Sequence, residues 1–245
     1  MAPFHAALRP FGRAEDLELE FGSGDRPGLV TALLARCGKT HDAQFWWMQP
    51  VGRRIAALVR LLALTESADS LAVRWRCTQP SCAEAFEVEL PLGALIDQAP
   101  DAEPVEVVLA DGRPVTLRRP TGDDLRSWRT ARYASHKEAM AAMLDALVLD
   151  GRVTLEDEPA LAEAIAALDP LVAFTVSCNC PVCGAGNDLP VDLEDISLTR
   201  LGARQRALVH EVHQLASRYG WTESEVLAIA PSRRARYLAL MENER

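Results

Sequence analysis

The sequence predicts an α+β fold in which short β hairpins are combined with helical N-terminal, insertion and C-terminal segments. Two observations lead to this fold class: apolar and polar residues alternate in several short stretches, and apolar residues recur at helical spacing in much of the remaining chain. The chain has 245 residues, of which 49% are hydrophobic and 25% charged, the usual balance of a globular protein. This length is sufficient for one domain or two small ones.

The N-terminal part is predicted to be an arm followed by helices. Residues 1–28 are interrupted by Gly and Pro, and the alternation of Leu and Glu in 17–21 indicates a strand or an extended arm. Residues 29–37 and 51–64 are predicted helices. The second places four apolar residues on one face: Ile55, Leu58, Val59 and Leu62.

Two hairpins are predicted in the next segment. In 71–90, apolar residues alternate on both sides of a turn with the sequence CTQPSC, and in 105–119 the dipeptide Asp111-Gly112 signals the turn. Helices are then predicted over 121–133, 136–149 and 158–168, and shorter strands over 172–178 and 188–193.

The C-terminal segment is predicted to be helical. Gly220 is expected to end a long helix, and Thr222 and Glu225 have the spacing of a capping box, which indicates that a new helix begins there. Pro231-Ser232 is expected to begin a last helix. The apolar stripe of the long helix passes through Leu201, Leu208, Val212, Leu215 and Tyr219.

The charge and hydropathy of the chain argue against nucleic-acid and membrane partners. The formal net charge is −9 and the pI is about 5.1, whereas phosphate binding depends on Lys and Arg. The longest apolar stretch, 55–64, is broken by Arg60 and is shorter than the roughly 20 residues of a membrane-spanning helix. Because the N-terminus also lacks the apolar core of a signal peptide, we expect a cytoplasmic protein with reduced thiols.

Four of the six cysteines form two pairs, each at the tip of a predicted strand. Cys180 and Cys183 belong to the sequence CPVCG, in which two thiolates three residues apart can face one metal ion. Cys77 and Cys82 form the second pair across a wider turn. A structural zinc ion takes four such ligands in a tetrahedron, so we predict one Zn²⁺ that joins segments separated by residues 83–179.

Other interpretations of the cysteines stay open at this point. The pairs could be reduced thiols without a metal, a disulfide in an oxidising compartment, or a redox centre, although the strand–helix–strand context of thioredoxin-like centres is missing. Cys178 lies two residues before Cys180, so on a strand it would point to the same face and could replace one ligand. Cys37 is predicted to be a core thiol.

The cysteine pairs also suggest how the chain is organised. We predict an N-terminal arm and helices over 1–70 and a C-terminal helical segment over 194–245. Between them, 71–193 is predicted to form a discontinuous zinc-ribbon-like β region with a helical insertion. A zinc ion would then connect the first hairpin with the last one.

The sequence shows no recognisable reaction centre, and we predict a protein that is not an enzyme and has no small-molecule substrate. The sequence CGKT at 37–40 is similar to the end of a phosphate-binding loop, but the Gly expected five residues before Gly38 is Leu33. His210 and His213 lack the spacing of an HExxH metalloprotease motif. A zinc hydrolase would need an open coordination position, which four cysteine ligands do not leave.

Four short motifs in the C-terminal third carry a family resemblance. They are CPVCG at Cys180–Gly184, EVHQLA at Glu211–Ala216, YGWTESEVL at Tyr219–Leu227 and RRARYL at Arg233–Leu238. Together with VGRRIAALVRLLAL at 51–64, they resemble the baseplate protein family of T-even-type contractile-tailed phages, described as baseplate hub assembly chaperones. Members of that family also occur in phage-like contractile systems of bacteria.

The resemblance implies a non-enzymatic assembly or scaffold protein that helps to build the baseplate hub or forms part of it, with hub or spike proteins as partners. It implies a cytoplasmic location during assembly and leaves open whether the protein stays in the finished particle. Four residues of types that are enriched in binding hot spots gather in this segment and are predicted partner contacts: Tyr219, Trp221, Arg234 and Tyr237.

The competing interpretation is a zinc-ribbon nucleic-acid-binding or regulatory protein. It rests on a stretch of basic residues with interleaved aromatic ones, which comprises Arg118, Arg119, Arg126, Trp128, Arg129, Arg132, Tyr133 and Lys137. The acidic net charge of the whole chain counts against it.

Overall fold

The computed structural model describes residues 7–100, 103–154 and 156–243, and it combines helices with short antiparallel hairpins, as the sequence predicts. Residues 1–6 of the predicted arm and 244–245 of the predicted C-terminal segment lie outside the described residues. A 3₁₀ helix, Ala14–Glu18, comes first. The α-helices are α1 (Arg26–Cys37), α2 (Ala43–Trp47), α3 (Val51–Glu66), α4 (Leu92–Ile96), α5 (Gly122–Thr130), α6 (His136–Leu147), α7 (Glu158–Leu168), α8 (Leu193–Tyr219), α9 (Glu223–Ala228) and α10 (Pro231–Asn243).

The described strands form three small antiparallel sheets. Two of them are simple hairpins, and the third has the strand order β3-β4-β5. The first hairpin consists of β1 (Ser70–Arg76) and β2 (Ala85–Pro91), and the last consists of β6 (Thr175–Asn179) and β7 (Gly186–Pro190). The central sheet consists of β3 (Val105–Val108), β4 (Pro114–Leu117) and β5 (Val148–Asp150).

Helix α3 lies at the centre of the main hydrophobic core. The apolar face predicted for it is confirmed, because Ile55, Leu58, Val59 and Leu62 are all buried. The helix contacts α1 on one side and α4 and α8 on others. Each fully buried Leu of this kind stabilises the fold by about 1.5–3 kcal/mol, so the face provides much of the stability of this part of the chain.

The N-terminus of α3 is capped by residues that are distant in sequence. Pro50 occupies the N-cap position and offers no side-chain acceptor. Instead, the N–H of Val51 donates to the carbonyl of Pro120 at 2.9 Å, and the N–H of Gly52 donates to Oδ2 of Asp169 at 3.0 Å. The Asp169 carboxyl packs so closely on Gly52 that no Cβ would fit there. The start of α3 is therefore tied to both ends of the segment that contains α5, α6 and α7.

A buried arginine connects the helices around α3. The Arg54 guanidinium donates to the carbonyl of Trp46 at 3.1 Å and to that of Pro27 at 2.7 Å, and it lies over the ring of Trp47. It also fills the space beside Gly122, where a side chain would collide with it. Burial lowers the pKa of Arg54 to about 10, because the charged form is removed from water and the charges of Glu194 and Asp25 offset this effect only in part.

Two smaller cores lie beside the main one. The segment between the first and last hairpins has its own apolar cluster, formed by the central sheet with α6 and α7, in which Leu109, Val115, Leu117, Leu144 and Leu161 are buried. The second cluster surrounds the cysteine pairs and includes Phe86 and Leu189. The predicted insertion therefore has a core that is separate from the cluster around the cysteine pairs.

Helix α8 connects the C-terminal segment with the rest of the protein. Its first half contributes Leu193, Leu198 and Leu201 to the main core, and Gln205 donates to the carbonyls of Leu17 and Leu19. The predicted end of α8 and the predicted start of the next helix are both confirmed. Gly220 ends α8 with a φ of 70°, and Thr222 caps α9. The boundary predicted at residue 194 stays a prediction.

The strand predicted over 17–21 is wrong, since Leu17 and Glu18 belong to the 3₁₀ helix Ala14–Glu18; Leu19, directly after it, has an extended conformation. Arg9 donates to both carboxylate oxygens of Asp16, at 2.7 and 2.8 Å, and the N–H groups of Gly12 and Arg13 donate to the same carboxylate. Burial alone would raise the pKa of Asp16, but these hydrogen bonds have the larger combined effect and hold the pKa below its usual value. A buried ion pair thus overrides the alternating pattern.

Three short elements were not predicted: α2, α4 and β5. Each has three to five residues, which is too short for a periodic pattern. Helix α4 continues directly from β2, and β5 continues directly from α6. None of the described helices combines the length and apolarity needed to cross a membrane.

We predict that Asp169→Asn changes stability in a pH-dependent way. Burial raises the pKa of Asp169 to about 6, more than the Gly52 N–H and the charge of Arg119 lower it, whereas the unfolded value is about 3.9. The folded state therefore binds the proton more tightly, and the stability that Asp169 contributes is present at low pH and lost as pH rises through 6. The free energy of unfolding in urea should therefore be higher for Asp169→Asn, relative to the wild type, at pH 7.5 than at pH 5.

The matched comparison is Asp169→Ala, which removes the same titrating group together with the acceptor of the Gly52 N–H. Its unfolding free energy should lie about 1–3 kcal/mol below that of Asp169→Asn at both pH values, so that both variants show the same pH dependence relative to the wild type. The titration argument would be wrong if the difference in unfolding free energy between Asp169→Asn and the wild type were the same at both pH values.

Candidate metal centre

Four cysteine sulfurs meet where the first and last hairpins approach each other. Cys77 follows β1, Cys82 precedes β2, and Cys180 and Cys183 lie in the turn between β6 and β7. All four Sγ atoms lie within 4.8 Å of one another, with Cys77 and Cys183 at 3.6 Å and Cys82 and Cys180 at 3.9 Å. The residues predicted as ligands are thus brought together as one group.

The spacing of the sulfurs fits a tetrahedral metal ion. With a Zn–S distance of about 2.3 Å, the sulfurs of an ideal ZnS₄ tetrahedron are about 3.8 Å apart. The two closest contacts across the hairpins are near that value. A disulfide would require about 2.0 Å, so the sulfurs are arranged as four separate thiols or thiolates. The group could hold a metal ion, and its sulfur ligands match a soft or borderline ion such as zinc.

The CPVCG turn folds back on itself through the backbone. The N–H of Gly184 donates to the carbonyl of Cys180 at 2.9 Å, and the N–H of Cys180 donates to the carbonyl of Ala185 at 2.8 Å. Gly184 has a φ of 73°, in the left-handed region that Gly adopts without strain. This conformation directs both sulfurs of the turn to the same side.

The wider CTQPSC turn also directs its two sulfurs to one side, but with different backbone hydrogen bonds. The N–H of Cys77 donates to the carbonyl of Glu84 at 2.9 Å, and the N–H groups of Cys82 and Ala83 both donate to the carbonyl of Gln79 at 3.0 Å. Ala83 has a φ of 50°, which is uncommon for a residue with a Cβ. This tight bend places Cys82 close enough to Cys77 for both to face the other pair.

An asparagine outside the ligand set joins the two turns. Asn187 is 3% exposed, and its Oδ1 accepts from the N–H of Thr78 at 2.8 Å and from the Thr78 hydroxyl at 2.9 Å. Its Nδ2 donates to the carbonyl of Ala185 at 2.8 Å. Sequence reasoning missed this residue, although its position two residues before the buried Leu189 on a strand places it on the inward face. Asn187 holds the two half-sites in register without the metal.

The four thiols of the site influence one another's ionisation. Backbone N–H groups of Cys183 and Val182 lower the pKa of the Cys180 thiol to about 7. The pKa of Cys82 is raised to about 12, because burial and the neighbouring sulfurs outweigh a hydrogen bond from the Glu84 backbone. Four thiolates cannot ionise together at this spacing, but a divalent cation would remove that repulsion.

The two remaining cysteines lie outside the group. Cys178 is on β6 opposite Asn187 and is half-buried beside the site, and it does not belong to the four-sulfur cluster of the described residues. Cys37 is fully buried in the main core, as predicted, and burial raises its pKa to about 12. A thiol of this kind is protonated and unreactive at neutral pH.

The predicted partner contacts fall into two groups. Tyr219, Trp221 and Tyr237 form an aromatic cluster, with ring centroids 4.6 Å apart for the Tyr219–Trp221 stack and 5.3 Å apart for Trp221 and Tyr237. Arg234 is 3% exposed, and its guanidinium donates to Glu211 at 2.7 Å and to the carbonyl of Ile229. The three aromatic residues are partly accessible, whereas Arg234 connects α10 with α8 beneath the surface.

Much of the basic stretch is engaged within the fold. Arg118 forms a bidentate ion pair with Asp124, and Arg126 pairs with Asp123 while lying over the ring of Trp47 at 4.6 Å. Arg119 donates to the carbonyls of Leu168 and Glu103. These arginines are therefore less available for phosphate groups than the sequence alone indicates.

Comparisons of this chain with protein-family models, with curated proteins and with solved structures found no match.

We predict that the purified protein contains about one equivalent of metal and that Cys180→Ser loses it. Structural zinc contributes on the order of 10–16 kcal/mol in small domains, whereas total stability is about 5–15 kcal/mol. Loss of the ion should therefore lower the unfolding free energy by several kcal/mol. Elemental analysis and urea unfolding measure the two effects.

Cys178→Ser is the matched control, because it removes a neighbouring sulfur that lies outside the cluster. It should keep its metal content and unfold as the wild type does. Full metal content in Cys180→Ser, or a wild-type protein purified without chelators that holds well below one equivalent, would contradict the assignment.

We predict that Asn187→Ala weakens metal binding while all four ligands remain. The change leaves the Thr78 N–H and hydroxyl without their acceptor and allows the two turns to move apart. Competition with a chromophoric chelator should show an affinity lower by about tenfold, the range seen for residues that orient metal ligands. Asn179→Ala, at the exposed end of β6, is the control, and equal affinities for the two variants would show that Asn187 does not position the site.

Proposed function

We propose that this protein is a non-enzymatic assembly or scaffold protein for the baseplate hub of a contractile phage tail or phage-like injection system, stabilised by a structural zinc ion. The observation that carries the proposal is the aromatic cluster of Tyr219, Trp221 and Tyr237, which the resembling C-terminal motifs supply together. Residues from two separate motifs converge on one partly accessible surface, as expected for a docking site.

Zinc is the ion that best suits the four-sulfur group. Four cysteine ligands at tetrahedral spacing match closed structural zinc sites, in which no position is left for a substrate. Under this proposal the first and last hairpins form a zinc-ribbon-like unit, with the ion as the connection between them. A closed site of this kind supports a structural role for the metal and a non-enzymatic role for the protein.

The C-terminal helices are suited to present the aromatic cluster. The Arg234–Glu211 pair fixes α10 against α8, and Arg204 donates to the same carboxylate at 3.0 Å. Because α8 also packs into the main core, the cluster is held on a rigid support. We propose that Tyr219, Trp221 and Tyr237 contact a hub or spike protein. For Arg234 the burial favours a supporting role, and its direct contact with a partner stays a prediction.

The nucleic-acid interpretation has less support. The net charge is −9, and Arg118 and Arg126 are neutralised by neighbouring aspartates. A nucleic-acid site of useful affinity would need several free cations on one face.

We predict that Trp221→Ala and Tyr237→Ala weaken binding to hub or spike proteins of the same tail or injection system. Each change removes an aromatic face of the cluster, and hot-spot truncations typically cost about 2 kcal/mol or more of binding free energy. Pull-down of the purified, folded variants with co-expressed hub and spike proteins measures the effect.

Val209→Ala is the control, since Val209 is exposed on α8 outside the cluster. It should bind as the wild type does. If the two aromatic variants were folded and still captured every partner that the wild type captures, the docking surface would have to be sought elsewhere. If the wild type captured no hub or spike protein, the baseplate role itself would fall.

A further inference from the structure

An apolar groove lies between α5, α6 and α7. It has a volume of about 300 Å³, and its lining is almost entirely apolar. Helix α6 contributes Met140 and Met143, α7 contributes Ala162 and Ala166, and Trp128 of α5 lies at one side. We call this feature the α6–α7 groove.

Helix α7 is rich in apolar residues, but most of them are not buried in the fold. Its sequence is EPALAEAIAAL, yet Leu161 is its one buried residue. Ala162 and Ala166 are exposed, and Val172, at the end of the groove, is 47% exposed. An apolar surface of this kind on a helix is a cost in water unless another molecule covers it.

The wall on the α6 side is adaptable. Met140 and Met143 are both half-buried, and they lie one turn apart on the same face of α6. Methionine side chains are flexible and polarisable, so they can adjust to different apolar surfaces. Trp128 adds a large, partly accessible ring that can pack against an inserted side chain.

The two charged residues that line the groove are acidic, and one of them, Asp169, is fully buried. Glu158 lines it at the start of α7, and Asp169 lines it at the other end of that helix, with an Oδ1 atom that has no hydrogen-bond partner among the described residues. Arg119 lies near Asp169, but its guanidinium donates to the carbonyls of Leu168 and Glu103. On the α6–α7 side, from residue 138 to residue 170, Arg152 is the single basic residue in the sequence, whereas Arg126 and Arg129 lie on α5 and Arg132 and Lys137 follow it.

We propose that the α6–α7 groove binds a basic amphipathic helix of a partner protein. The apolar face of such a helix would cover Met140, Met143 and the exposed alanines of α7. Its Lys or Arg residues would lie toward Glu158 and the exposed Glu163 of α7, away from the cations of α5. An apolar groove with methionines and a surround of opposite charge is the arrangement by which amphipathic helices are recognised. This inference does not rest on the baseplate role.

The full-length protein can be tested with a defined probe. A fluorescein-labelled peptide of about 18 residues, with Leu on one helical face and Lys on the other, is long enough to form a helix on binding. A peptide of the same composition in scrambled order is its control, because an acidic protein attracts any cationic peptide weakly. Fluorescence anisotropy at low and moderate salt measures both affinities.

A pair of variants on α7 locates the binding. Ala166→Arg places a cation and a long side chain in the groove, whereas Ala167→Arg makes the same change at the next residue, which is exposed and does not line it. We expect Ala166→Arg to weaken peptide binding by at least about tenfold and Ala167→Arg to change it by less than about twofold. Glu158→Gln should weaken it severalfold and lower its salt dependence, and Glu163→Gln, outside the lining, should have a smaller effect.

Three outcomes would overturn the proposal. Equal binding of the ordered and scrambled peptides would show attraction by net charge alone. Unchanged binding in a folded Ala166→Arg variant would place the peptide elsewhere. A wild-type dimer that Ala166→Arg dissociates, measured by sedimentation, would show that a second copy of the chain covers the groove. Failure of hub and spike pull-downs would leave this result unaffected, since the two experiments use different surfaces and different partners.

Discussion

The junction of four cysteine sulfurs fixes how the middle of the chain is arranged. It brings together hairpins that residues 83–179 separate, so the whole intervening segment must leave and return to one place. A metal ion there can contribute more free energy than the net stability of a typical domain. The same segment is tied a second time at the start of α3, through Pro120 and Asp169. Between these two attachments it folds around its own small core.

The parts of this architecture that depend on local chemistry could be predicted from the sequence. Alternating residues gave the first hairpin, and its register places Leu71 opposite Leu90. The Thr222 cap and the Gly220 terminus were also recognisable, because a few neighbouring residues determine each. The four-sulfur group could be predicted because two cysteine pairs at short spacing are a common signature of a metal site.

The features that depend on distant partners could not be predicted in this way. The alternation in 17–21 is typical of a strand, but Arg9 and Asp16 form a buried ion pair that the 3₁₀ helix accommodates. Asp169 looks like an ordinary surface carboxylate after a helix, yet it caps α3. Asn187 carries no motif, and its role follows only when Thr78 is known to lie beside it. In each case the deciding interaction joins residues whose proximity is a result of the fold.

Arg234 shows that the role of a residue in binding also depends on distant partners that the local sequence does not reveal. Arginine is frequent at binding hot spots, and its place in a motif with Tyr237 made it a reasonable candidate contact. Its guanidinium is buried against Glu211, where losing that carboxylate would leave an uncompensated charge, so the sequence motif did not reveal this supporting role. The α6–α7 groove presents the opposite case, since it has no motif and its methionines and alanines look like core residues in the sequence. Accessibility, which the sequence does not encode locally, therefore decides which of the chain's apolar and charged residues can meet a partner.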